Sequence, residues 1–165
     1  MIRLIVAHDR QRGIAKQGFQ PWYIPEDEAY FADKTKSAGA AVLMGSTTYK
    51  TLKGPLPDRT NYVLTSDKTP IDGVELVHNL DKFLREFTGS QKDLWVIGGS
   101  NVYSQVFEVG LVDEVYSTKI EADFGCNQFF PALSDQFQLL SQSDLHEQNG
   151  FIFSYEVYSQ QIPTA

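Results

Sequence analysis

Short apolar runs alternate with segments of helical spacing along most of this chain. Ile2–Asp9 opens with near-continuous apolar residues, the mark of a strand buried on both faces. Arg10–Pro25 has little periodicity and carries Gly13, Gly18 and Pro21. Structureless loops that long are usually lids or binding loops. Pro25 then suits a first helical turn, and Glu26, Asp27 and Glu28 put negative charge at the positive end of the helix dipole. Gly39 is the expected stop. Ala41–Met44 is a short strand, turned by Gly45 into a helix over Thr47–Leu52. Asn61–Thr65 and Glu75–His78 are further strands, and Asn79 can cap a helix to about Phe87. Leu94–Ile97 runs into Gly98-Gly99 and a helix from about Asn101. Val115–Ile120 is the next strand. Gln138–Leu145 and Phe151–Tyr158 flank Asn149-Gly150, a dipeptide suited to hairpin turns.

Strands alternating with helices, closed by a hairpin, predict an α/β fold. The expected architecture is a three-layer sandwich with a central, mostly parallel mixed sheet and an antiparallel C-terminal hairpin. No repeat or linker divides the 165 residues, so one domain over 1–165 is expected. Ligands of open α/β sheets lie at the carboxyl ends of strands. Here those ends are Ala7, the Gly45 turn, the Thr65-Ser66 turn and the Gly98-Gly99 turn, which together suit one long ligand laid across the sheet.

Composition narrows the function classes. A net charge of −7 gives no electrostatic footprint for nucleic acid. The apolar start, Ile2–Ala7 interrupted by Arg3, is too short for a signal core or a membrane span, so a cytoplasmic protein without membrane contact is expected. Cys126 is the one cysteine, and His8, His78 and His146 are scattered, so no metal site is expected.

Four segments carry candidate chemistry. Pro21-Trp22-Tyr23-Ile24-Pro25-Glu26-Asp27 places a carboxylate in a first helical turn. Phe31 lies four residues beyond Asp27 on the same helix face. Such a face can hold a flat, nitrogen-rich ring, although from the helix alone a solvated acid favoured by the dipole is the better reading, the more so beside Glu26 and Glu28. In Ile97-Gly98-Gly99-Ser100-Asn101-Val102-Tyr103 a strand meets two glycines and a helix, a pattern open to phosphate but lacking the Rossmann spacing. Met44-Gly45-Ser46-Thr47-Thr48-Tyr49 repeats the arrangement with hydroxyls. Pro55-Leu56-Pro57-Asp58-Arg59-Thr60-Asn61 puts Arg59 before a strand, where it can grip a carboxylate or simply be a surface charge.

In order, spacing and residue type, these segments resemble the dihydrofolate reductase family over essentially the whole chain. The likeness continues through Thr118 and Phe129-Phe130-Pro131. It implies a bacterial-type enzyme reducing 7,8-dihydrofolate to 5,6,7,8-tetrahydrofolate with NADPH, in support of one-carbon metabolism. It implies a monomer and an antifolate target. Asp27 would bind the pterin and promote its protonation, Trp22 would hold a water, and Thr118 would bond Asp27 or the pterin. Ile5, Ala7, Phe31, Leu52, Leu56 and Ile97 would surround the substrate, and Arg59 would take the carboxylate of its glutamate tail. For the cofactor, Ala7, Ile14, Gly18, Ile97 and Tyr103 would lie near the nicotinamide. Gly45, Thr47, Thr48, Gly98, Gly99, Ser100, Asn101 and Val102 would hold the diphosphate, and Thr65, Ser66 and His78 the 2′-phosphate. The Gly98-Gly99 bond is expected to be cis.

Several positions depart from the family pattern. Ser46 and Asn101 stand where many relatives carry arginines near the 2′-phosphate, with Lys68 a substitute charge. Ala15 and Gln20 change the lid, Cys126-Asn127 replaces a Gly-Asp pair that supports it, and Glu28 replaces an apolar neighbour of the substrate. Two other readings share features of the chain. A riboflavin-pathway pyrimidine reductase would share the glycine turns but has no use for Arg59. A non-catalytic folate- or nucleotide-binding relative would share the fold, yet Asp27, Trp22, Thr118 and the double glycine are all present.

Overall fold

The computed structural model describes residues 1–37 and 39–161. Residues 38 and 162–165 of the expected domain lie outside the described ones. Among the described residues eleven strands and four helices follow one another: β1 Ile2–His8, β2 Gly13–Ala15, α1 Pro25–Thr35, β3 Ala41–Gly45, α2 Ser46–Thr51, β4 Thr60–Leu64, β5 Glu75–Val77, α3 Leu80–Thr88, β6 Leu94–Val96, α4 Ser100–Val109, β7 Glu114–Ile120, β8 Gln128–Phe129, β9 Phe137–Gln142, β10 His146–Gln148 and β11 Phe151–Gln160.

The large sheet has the order β10-β11-β7-β1-β6-β3-β4-β5, with β9 also beside β11. From β7 to β5 the pairs are parallel. Those that β11 makes with β7, β9 and β10 are antiparallel. The expected mixed sheet is thus present. β1 explains its central place: Ile2, Leu4 and Val6 pack on one face with Leu84 of α3 and Val102 and Val106 of α4. Ile5 turns to the other face, where Tyr30 and Phe31 of α1, Tyr49 of α2 and Leu52 just beyond it cover Val42 and Met44. Helices on both faces make the three layers.

Four details differ from the expectation. Helix α1 ends at Thr35, not Gly39. The Thr35 hydroxyl donates to the Phe31 carbonyl at 2.8 Å and accepts from Arg59 Nη1 at 2.8 Å, which pins the last turn four residues early. α2 and α4 each begin one residue before the expected start, because the helix begins directly after the glycine that turns the strand. The segment Arg10–Pro25 is not structureless. Its β2 pairs with β8, and Lys16 and Phe19 close a tight turn over Gln17 (φ 52°) and Gly18 (φ 86°). The C-terminal hairpin turns at Asn149-Gly150 as expected, but its first arm is broken. β10 pairs with Phe151–Phe153 and β9 with Glu156–Gln160, while Ser143 between them bonds Tyr155 through both its amide and its hydroxyl.

Candidate active site

One cleft of about 870 Å³ opens along the carboxyl ends of the parallel strands. β1 ends there at Ala7, β3 at Gly45, β4 at Leu64-Thr65 and β6 at Ile97-Gly98. Helix α1 crosses one side and brings in Asp27, Glu28 and Phe31, while Thr118 arrives from β7, whose register sets it beside Ala7. Thr118 Oγ1 donates to Asp27 Oδ1 at 2.5 Å, joining residues 91 apart in sequence. Ile5, Phe31 and Leu52 supply the apolar surround.

That surround sets the chemistry of Asp27. Burial pushes its carboxyl up from the ordinary value to about 6. The Thr118 hydrogen bond opposes the rise, and the charges of Glu28 and then Glu26 add to it. An acid that titrates near neutrality can hold a proton for a bound base and still release it. Tyr103 closes the floor: it is fully buried, and its hydroxyl donates to the Ile5 carbonyl at 2.7 Å.

At the other end two glycine turns face each other. Gly45 donates its N–H to the Gly98 carbonyl at 2.9 Å, and the Gly98-Gly99 bond is cis. A Cβ on Gly45 would meet Val102 Cγ2 at 2.9 Å, and Gly98 has φ 125°. A side chain at the first position would have to displace Val102, and none adopts the backbone of the second easily. Bare backbone therefore faces the cleft where α4 starts. The amides of its first turn and the side chains of Thr47, Thr48, Ser100 and Asn101 are donors around it. A cradle of exposed amides and hydroxyls fits a diphosphate. Thr65, Ser66 and His78 lie at the outer end of the same cleft, where His78 Nδ1 is 2.7 Å from the Thr65 carbonyl.

Trp22, Leu56 and Arg59 do not line the cleft, and neither does Lys68, the substitute charge offered for the 2′-phosphate. Trp22 lies beneath it, buried with Ala7, Ile24, Ile120 and Phe153, its indole N–H without a protein partner. Leu56 packs against the cluster that contains Ile5 and Val42. Arg59 is turned to Thr35 and to the Pro57 carbonyl, which Nε reaches at 2.9 Å. The others, from Ile5, Ala7, Ile14 and Gly18 to Val102 and Tyr103, come together along the wall. The wall also holds Phe19, Thr51, Leu64, Gln105 and Gln128, which the sequence reading did not include. Gln105 was within reach, being one helical turn beyond Asn101. Gln128 arrives only through the pairing of β8 with Ala15, which leaves no local trace.

The lid is anchored at its base. Asp9, buried at 1% exposure, accepts through Oδ1 from the amides of Gln11 (2.9 Å) and Gly13 (2.7 Å). Its Oδ2 accepts from Phe124 at 3.2 Å. Asn127 Oδ1 accepts from the Gln17 amide at 3.1 Å. Phe19 at the lid turn is 72% exposed.

The family described as dihydrofolate reductase matches residues 1–160. The chain is 36% identical to the dihydrofolate reductase of Drosophila melanogaster over 93% of its own length and 94% of the relative's. It is 33% identical to that of Bacillus subtilis (strain 168), covering 96% and 94%. Among solved structures it is similar to dihydrofolate reductase from Enterococcus faecalis complexed with NADP(H) and RAB-propyl. That TM-score is 0.87 at 27% identity, over 97% of this chain and 96% of the other.

Proposed function

This chain belongs to the dihydrofolate reductase family, and on that premise we infer that Asp27 is the acid of its reaction. The activity is an NADPH-dependent reduction of dihydrofolate to tetrahydrofolate. The observation that carries the assignment of Asp27 is its half-buried carboxyl, held by Thr118 in the same cleft as the two glycine turns.

When bound, NADPH supplies the hydride. The chain's own residues bind, orient and exclude water. Gly45, Thr47, Thr48 and the turn Gly98–Val102 hold the diphosphate; Ala7, Ile14, Gly18, Ile97 and Tyr103 border the nicotinamide. The ionised Asp27 accepts two parallel N–H bonds from the pterin, its protonated form supplies the proton of the reaction, and Thr118 steadies it. Ile5, Phe31, Leu52 and Leu56 pack on the substrate, Trp22 orders water beneath it, and Arg59 swings from Thr35 to the glutamate tail. The protein works as a cytoplasmic, monomeric single domain in one-carbon metabolism, and antifolates occupy the same cleft. Purified protein mixed with NADPH and dihydrofolate should lose the reduced-nicotinamide absorbance steadily. Omitting dihydrofolate should stop the loss, and continued loss without it would overturn the reading.

Arg59→Leu should weaken dihydrofolate binding about ten-fold or more, since a hydrogen bond to a charged group contributes roughly 1.5–3 kcal/mol. NADPH binding should barely change. Equal weakening of both ligands, measured by fluorescence titration, would mean general damage.

Ser46 and Asn101 leave the 2′-phosphate end without the arginines many relatives have. The gap between NADPH and NADH should therefore be narrow, with NADPH ahead through Thr65, Ser66 and His78. Ser46→Arg should tighten NADPH alone. Equal tightening of NADPH and NADH by Ser46→Arg would remove the 2′-phosphate from that end of the cleft.

A further inference from the structure

The start of α1, which presents Asp27, is held from outside the helix. Its N-cap residue is Ile24, whose side chain cannot accept a hydrogen bond. The hairpin β10–β11 supplies what is missing. Gln148 Oε1 accepts from the Glu26 amide at 2.7 Å. Asn149 Nδ2 donates to the Tyr23 carbonyl at 3.0 Å. His146 Nδ1 meets Glu26 Oε1 at 2.7 Å. Three side chains of one hairpin thus grip residues Tyr23–Glu26, more than a hundred positions away in sequence. The His146 ring is itself fixed, stacked 5.5 Å from Phe153 and edge-on to Tyr155 at 5.2 Å.

The geometry points to His146 as a positioning residue for the reaction: through Glu26 it fixes the first turn of α1, and the proton on its ring sets the net charge that Asp27 faces. This rests on the assignment of Asp27 as the acid. The polar and charged groups around Asp27 are Thr118 from β7, Tyr155 from β11, and Glu26, Glu28 and Tyr30 from α1. Those around His146 are Glu26 from α1 and Tyr155 from β11. Tyr30 and Tyr155 stack at 4.0 Å between the two sites.

The sign follows from the charges. With the imidazole protonated, Glu26 is neutralised as an ion pair and adds little to the field at Asp27. With no proton on the imidazole, as in a neutral replacement, the full charge of Glu26 is unmasked and Asp27 holds its own proton more firmly.

The test is the titration of the Asp27 carboxyl by NMR with isotope-labelled aspartate, on the free protein, alongside the pH–rate profile. The Asp27 signal is assigned by its loss in Asp27→Asn. His146→Gln keeps a hydrogen bond to Glu26 but no longer carries charge. Its Asp27 midpoint should move up by about 0.4 pH unit, the size expected of one partly screened charge beyond direct contact. Glu26→Gln should move the midpoint down by a similar amount. Gln148→Ala loosens the helix start without changing any charge, so it should lower turnover and leave the midpoint in place. A midpoint unmoved by both His146→Gln and Glu26→Gln overturns the pair's role. A midpoint that moves while the rate profile stays fixed overturns Asp27 as the acid, and with it any part His146 has in the reaction.

Discussion

Asp27→Asn should lower turnover at neutral pH by about 10²–10⁴-fold, the usual worth of a positioned acid, and leave the chain folded. The amide can still accept the Thr118 hydroxyl, but it carries no proton that it can give. The loss shrinks as pH falls, because substrate protonated in solution then replaces the missing acid. A second consequence concerns stability. Burial raises the Asp27 carboxyl to about 6 from 3.8. A group whose proton is held more tightly in the folded state adds stability only at low pH, and that contribution is lost as pH rises through the folded value. Wild type therefore carries an ionised, half-buried carboxylate above about pH 6. The variant does not, so its Tm should be higher there by about 2–6 °C and should converge with wild type toward pH 4. Steady-state kinetics and thermal melts across this range check both. Near-full activity at neutral pH would end the assignment.

Asp9→Ala has the largest expected effect on stability. The Asp9 carboxylate is buried and accepts three backbone amides, those of Gln11, Gly13 and Phe124. It ties the start of the lid to the segment before β8. Alanine leaves those amides with no acceptor, at about 1–3 kcal/mol for each donor left buried and unsatisfied. Water reaching the emptied site will recover part of this, so a loss of about 3 kcal/mol is expected, or a Tm lower by about 6–12 °C. Hydrogen exchange should speed up first at Gly13 and Phe124. Neighbouring geometry offers no relief, since even a Cβ on Gly13 would lie 2.5 Å from Cys126 Cβ and 2.9 Å from Asp9 Oδ1. An unchanged melt with unchanged exchange at both amides would show that the carboxylate holds nothing.

The centre of the sheet was legible because β1, β3 and β6 are short apolar runs ended by glycine or a polar turn. Gly45 and Gly98 mark the cleft for the same reason: a backbone that must approach a ligand leaves room for no side chain. Local signals of this kind do not report what comes from afar. Nothing near Gly13 announces that it will pair with Phe129, and nothing near Glu26 announces Gln148. Thr35 shows the same limit. Its stop of α1 depends on an arginine 24 residues away, whereas Gly39 was the visible punctuation. Arg59 was placed correctly in the chain, yet its direction is set by Thr35 and Pro57, which only the folded structure supplies.

The broken first arm of the C-terminal hairpin has a consequence for how copies of this chain meet. An outermost strand offers a row of unpaired amides and carbonyls that another chain can extend. Here that rim comes in two pieces, β9 and β10, separated by Ser143–Leu145. The longer piece is itself irregular: Val157 faces Ser141 and Tyr158 faces Leu139, so Leu140 is an extra residue that bends the strand. Leu139 and Leu140 stand 50% and 63% exposed on it, which on a straight strand would invite ladder growth and fibrous aggregation. A kinked, interrupted rim gives an incoming strand few aligned partners to nucleate on, which offsets the pull of two bare leucines at its border.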